Sequence, residues 1–137
     1  MIRRSVIALT AVLLAGCGMM GSKESERPMA TMPAHKIVQT SIGPVLASNR
    51  GMTLYTFAND TLPGVSMCND ACARNWPPLI ALDDALSSGK WTVVQRADGL
   101  KQWAYGGKPL YGWSEDKKPG DTLGEGRLNG SWSVARP

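Results

Sequence analysis

Cys68 and Cys72 stand four residues apart with Met67 beside them, and that spacing suits three chemistries. On one face of a helix, residues four apart hold their Cα atoms roughly 6 Å from each other, within reach of a disulfide. As free thiols they would form a redox pair, although neither a Cys-x-x-Cys motif nor a neighbouring histidine is present to tune them. With the Met67 thioether they would offer soft ligands to Cu(I). Zinc asks for four good ligands, and this stretch lacks them. In an oxidising compartment an even pair of cysteines reads first as a disulfide.

Asp60 and Asp116 form a second constellation. Each follows an aromatic residue by three positions and precedes a Pro-Gly pair by three. Such a carboxylate typically accepts backbone N–H groups in a turn. Two such loops brought together would make a carboxylate pair or a hard-metal site. Just upstream, Tyr55 and Phe57, and likewise Tyr111 and Trp113, are two residues apart and share a strand face. Exposed, these rings would stack on sugars; buried, they would fill a core that has only one phenylalanine. The chain has a single histidine, His35, and no glycine-rich phosphate loop. A Ser-His-Asp or Cys-His catalytic arrangement is therefore not credible, and the expectation is a non-enzymatic protein without a cofactor.

The third cysteine belongs to a different chemistry. Arg3-Arg4 and an apolar run from Val6 to Leu14 lead to Leu14-Ala15-Gly16-Cys17. Basic residues, a short apolar stretch and small residues at the end are the layout of a secretory signal, and the run is too short to span a bilayer. With a cysteine at the cleavage point, the segment resembles the lipobox of bacterial lipoproteins. The resemblance implies a signal peptide over residues 1–16 and a mature chain that begins at a diacylated (palmitate-bearing) Cys17. Two or more acyl chains suffice for stable membrane attachment. Gly18 at the next position resembles an outer-membrane sorting signal where the cell has two membranes. Cleavage would remove Arg3 and Arg4, so part of the +4 formal charge belongs to the signal. Export and the lack of a Lys/Arg cluster exclude nucleic acid as a partner. Residues 17–35 are then the acylated cysteine and a linker without apolar periodicity. Four methionines (Met19, Met20, Met29, Met32) and His35 give that linker a secondary reading as a copper-scavenging tail.

The elements that must position these groups come in two copies. At an offset of 56, residues 36–76 align without a gap on 92–132. Identities include Val38/Val94, Gly43/Gly99, Gly51/Gly107, Leu54-Tyr55/Leu110-Tyr111, Asp60/Asp116, Pro63-Gly64/Pro119-Gly120 and Trp76/Trp132. Each copy reads as a β-meander of three short strands, with Asp98-Gly99 and Gly106-Gly107 as hairpin turns in the second. A closing strand is expected around Trp132-Ser133-Val134. Between the copies, Ser66 is expected to cap a short helix over 67–75 stopped by Pro77-Pro78, with one more helical turn over 83–88. Neither meander can bury its face alone. The predicted fold is therefore mainly β: two tandem antiparallel β-meander repeats packed with pseudo-two-fold symmetry. A sandwich or partly closed barrel results, with a short helical insert carrying Cys68 and Cys72, and the duplicated domain occupies residues 36–137.

Both copies fit Tyr-x-(Phe/Trp/Tyr)-x-x-Asp, as Tyr55-Thr-Phe57-Ala-Asn-Asp60 and Tyr111-Gly-Trp113-Ser-Glu-Asp116. Together with Cys68-x-x-x-Cys72-Ala73 and Trp76-Pro77-Pro78-Leu79, the chain resembles a bacterial family of predicted lipoproteins defined by this motif, a secreted repeat of unknown function. The resemblance covers the whole mature domain and implies no activity, substrate or catalytic residue. The cysteine pair occurs once only, since the second copy has Gly124 and Leu128 there. The expected function is a lipid-anchored cell-envelope module that binds an envelope protein or small ligand. The alternative is a redox or copper-handling protein acting through Cys68 and Cys72.

Overall fold

A computed structural model describes Gly16 and residues 32–137. Residues 1–15 of the signal segment, Cys17 and the linker up to residue 31 lie outside the described residues. Among the described residues follow eight short strands, one short helix and an irregular helical turn at Arg127–Gly130. The strands and the helix are β1 (His35–Thr40), β2 (Gly43–Ser48), β3 (Tyr55–Phe57), α1 (Ala71–Asn75), β4 (Ile80–Ala81), β5 (Trp91–Gln95), β6 (Lys101–Tyr105), β7 (Lys108–Pro109) and β8 (Trp132–Val134). Every pairing is antiparallel: β1 with β2, β3 with β8, and β6 with β4, β5 and β7. Two tandem repeats in a mainly β fold are what the sequence predicts.

The pseudo-two-fold axis passes between Tyr55 and Tyr111. Their backbones exchange both hydrogen bonds, Tyr55 N to Tyr111 O at 2.7 Å and Tyr111 N to Tyr55 O at 3.0 Å. The copies then cross over. Leu79, at the tail of copy one, donates to Leu110 O (2.9 Å) and accepts from Trp103 N (2.8 Å), and β4 continues onto β6. Ala135, at the tail of copy two, donates to Leu54 O (2.8 Å) and accepts from Leu46 N (2.8 Å), while β8 lies on β3. Each copy's sheet is completed by the other copy's tail.

Leu54, just before β3, and its neighbour Tyr55 pack into different cores, as do Leu110, just after β7, and Tyr111. One face buries Leu46, Leu54, Trp91, Trp103 and Leu110 with three alanines. The other buries Val45, Tyr55, Trp76, Tyr111, Trp132 and Val134 with Cys68. Two small cores thus share one central ladder.

The ungapped offset conceals a shift of one residue in the second strand. Copy one turns tightly between Thr40 and Gly43, and then takes three residues between Ser48 and Met52. Copy two takes three residues between Arg96 and Leu100, and then turns tightly between Tyr105 and Lys108. The extra residue in one turn is cancelled by the missing one in the next. Val45, Leu46 and Ala47 therefore match Gln102, Trp103 and Ala104 in burial, at an offset of 57. A one-residue slip would otherwise have turned the buried face outward.

Two helical expectations fail. The helix begins at Ala71, not 67, because Asp70 takes a left-handed φ of 53° and Ser66 is engaged elsewhere. Residues 83–88 form no helix; Ala85 N closes a turn onto Leu82 O at 3.0 Å. His35, expected at the end of the linker, opens β1 and packs 4.7 Å from the Trp91 ring.

Candidate functional site

The two motif copies are wired to each other, not within themselves. Tyr55 donates its phenol proton to Asp116 Oδ2 at 2.6 Å, and Tyr111 donates to Asp60 Oδ2 at 2.7 Å. The other oxygen of each carboxylate accepts the backbone N–H seven residues on: Met67 N to Asp60 (2.7 Å) and Leu123 N to Asp116 (3.0 Å). Each aspartate so closes its own Pro-Gly loop and clasps the opposite copy. The structure gives Asp60 and Asp116 separate partners, so they do not form the carboxylate pair that the sequence left open. Among the described residues no group of three or more His, Cys, Asp or Glu side chains is placed to hold a metal ion.

Burial pushes both carboxyl groups above the usual aspartate range, and the hydrogen bonds they accept only partly offset it. Burial, reinforced by the neighbouring carboxylates, also pushes both phenols well up. The phenols therefore stay protonated and act as donors.

The aromatic residues stack across the same axis. Phe57 lies on Trp132 (4.3 Å), Trp132 on Trp76 (3.8 Å, nearly parallel) and Trp76 on Trp113 (4.1 Å), and the Arg127 guanidinium caps Trp113 at 4.9 Å. Tyr55 meets Trp76 edge-on, and Tyr111 meets Trp132 likewise. Tyr55 and Tyr111 are fully buried and Phe57 and Trp113 half-buried, so the rings fill the interior instead of offering a sugar platform. Gly124 is required by this packing, because a Cβ there would sit 2.8 Å from both the Trp76 and Tyr55 rings. Its counterpart in copy one is Cys68.

Cys68 and Cys72 are joined in a disulfide, with Cα atoms 5.2 Å apart. Cys68 precedes α1 instead of sharing its face; it is fully buried, and Cys72 is half-buried. Met67, the third ligand of the copper reading, is exposed. Alongside runs a buried polar network that sequence reasoning missed. Arg96 donates to Ser66 Oγ (2.9 Å), Gln102 Oε1 (2.8 Å) and Cys68 O (3.0 Å), and pairs with Asp98 at 3.0 Å. Ser66 also meets the Tyr111 hydroxyl at 2.7 Å, which explains why it does not cap α1. The backbone N–H of Leu100, followed by Arg96, holds the Asp98 carboxyl below the usual range. Nothing in the local pattern around Arg96 marks it as buried, since Ser66 and Cys68 reach it from 30 and 28 residues upstream.

A cleft of about 440 Å³ opens where the β6–β7 hairpin meets β8 and the tail that follows. Lys90, Lys108 and Arg136 line it with Tyr105, Thr56 and Ser133, over a floor that includes the buried Leu110. Lys90 Nζ lies 5.5 Å from the Tyr105 ring. None of these six residues is a specified position of the repeat motif, Thr56 standing at its variable second place, and no sequence signal joined them.

The chain belongs to a family described as a secreted repeat of unknown function, whose model matches it twice, over residues 36–80 and 92–136. Each matched segment takes in the tail that crosses to the other copy. Comparison with curated proteins finds no match, and neither does comparison with solved structures.

Proposed function

We propose that this secreted repeat protein is a lipid-anchored component of the cell envelope that acts by binding, without catalysis, and that the cleft between the β6–β7 hairpin and β8 is its ligand site. The carrying observation is a division of labour among the polar groups. The interior phenols, carboxylates and Arg96 are engaged with one another and brace the scaffold. The cleft, by contrast, gathers polar groups that have few protein partners around an apolar floor. Ligand sites characteristically combine a concave, largely preformed surface with a few convergent polar groups. The Cys17 lipobox supports attachment to a membrane, and in a two-membrane cell Gly18 supports the outer one. Native mass spectrometry of the soluble domain incubated with an envelope small-molecule extract tests the binding role. Wild type should carry a ligand that Ser133→Trp, which fills the cleft, does not. The same adduct on both proteins, or none on either, would reject the cleft as the site.

The partial exposure of Cys72 favours a second reading, redox or copper handling by Cys68 and Cys72. It requires that the bond open reversibly in the folded protein and that the thiols, with Met67, then bind Cu(I). Retention of fold after mild reduction, together with stoichiometric Cu(I) uptake, would support it.

A further inference from the structure

We infer that the cleft binds an anion of the phosphate-ester class, its negative group held by Lys90, Lys108 and Arg136; this rests on the binding role proposed for the cleft. Among the described residues the one ion pair is Arg96–Asp98, so none of the three cleft cations is neutralised by a carboxylate within 4 Å. None of the described side chains lining the cleft is acidic, and even with an α-carboxylate on Pro137 the three cations stay in excess. Three positive charges facing one concavity repel one another, and an anion relieves that repulsion.

Arg136 is placed in advance. One guanidinium nitrogen donates to Pro44 O at 2.8 Å, while no second acceptor engages it among the described residues. An arginine fixed at one nitrogen loses less freedom when the rest of its planar fork meets an oxyanion. Lys90 and Lys108 are exposed and supply mobile ammonium donors from the other wall, and the Thr56 and Ser133 hydroxyls line the same space. A phosphate monoester carries close to two negative charges at neutral pH and three acceptor oxygens, which suits this excess of donors better than a single carboxylate does. The apolar floor lowers the local dielectric and strengthens each of these contacts. The body of the ligand would lie toward Tyr105.

The ester can reach a tethered protein as a soluble metabolite or as a lipid headgroup, and glycerol 3-phosphate reproduces the shared chemistry. Calorimetric titration of the soluble disulfide-bonded domain should show binding of glycerol 3-phosphate and none of glycerol, with affinity that falls as salt is added. Lys108→Glu should weaken binding by at least about tenfold, because it replaces attraction by repulsion in the cleft. Lys118→Glu, an equal charge change outside the cleft, should leave it within about twofold. Co-sedimentation with vesicles of phosphatidic acid in phosphatidylcholine, against phosphatidylcholine alone, assigns the lipid source if it too is lost in Lys108→Glu alone. Equal loss in both variants would reduce the effect to net charge and overturn the inference. So would glycerol 3-phosphate and vesicle binding that is absent in wild type. If wild type still carried an uncharged ligand that Ser133→Trp excludes, the anion inference would fall while the binding role stood.

Discussion

Replacing Tyr55 or Tyr111 by Phe and Asp60 or Asp116 by Asn, singly and in pairs, reads the wiring of the motif directly. Each phenol donates to a buried or half-buried carboxylate of the opposite copy, at 2.6 and 2.7 Å. A hydrogen bond to a charged acceptor contributes about 1.5–3 kcal/mol. Either tyrosine variant should therefore lose about that much stability while keeping its ring contacts. Tyr111→Phe should cost more, by about 1 kcal/mol, because Tyr111 also meets Ser66 at 2.7 Å whereas the second contact of Tyr55 is a 3.2 Å backbone donor. The decisive quantity is the coupling. Tyr55 with Asp116, and Tyr111 with Asp60, should show about 1–2 kcal/mol of interaction energy. Tyr55 with Asp60, and Tyr111 with Asp116, share no hydrogen bond and should add to within about 0.5 kcal/mol. Urea unfolding followed by tryptophan fluorescence, with the disulfide intact, measures all four. The stacked indoles make that signal sensitive to the core. Coupling that is larger within each motif copy than across copies would refute the crossed wiring and the axis built on it.

The phenols also set an alkaline limit. Their folded pKa values are raised above the unfolded value of about 10, so their contribution is intact below that pH. It is lost as pH rises, by up to about 1.4 kcal/mol per pH unit for each tyrosine. Absorbance and circular dichroism should show Tyr55 and Tyr111 ionising together with unfolding; free ionisation in a folded protein would contradict this. Gly124→Ala should cost about 1–3 kcal/mol from the 2.8 Å approach to two rings. Gly112→Ala, whose nearest neighbour is 3.8 Å away, should change little in the same thermal melts. Expressed separately, segments 32–86 and 87–137 should each fail to give a folded monomer, because each lacks the tail that completes its sheet. Mixed, they should assemble; a folded monomer of either half, seen by size-exclusion chromatography and circular dichroism, would exclude the exchange.

The sequence by itself determined what depends on local order: the duplication, the strands around Leu54-Tyr55 and Trp132-Val134, and the motif residues. The disulfide was readable because a four-residue spacing keeps two Cα atoms close in most compact backbones. It did not require the helix that was expected to present it, which left-handed Asp70 delays. The register shift had a faint signal: the ungapped alignment holds no identity between Gly43/Gly99 and Gly51/Gly107, and a slip of one sets Ala47 on Ala104. Two turns of unequal length in opposite order leave the total spacing unchanged, so spacing alone cannot detect them. Everything that joins distant segments was decided by the tertiary structure. The spacing of Asp60 predicts a carboxylate that closes its own turn, and it does so through Met67; that its second oxygen reaches Tyr111 depends on the exchange of tails about the axis. Arg96 became a buried hub, and Lys90, Lys108 and Arg136 became one cleft, only when turns and tails far apart in the chain were folded against each other. Local sequence encodes periodicity and turn chemistry, whereas a site assembled from four segments is written in their packing.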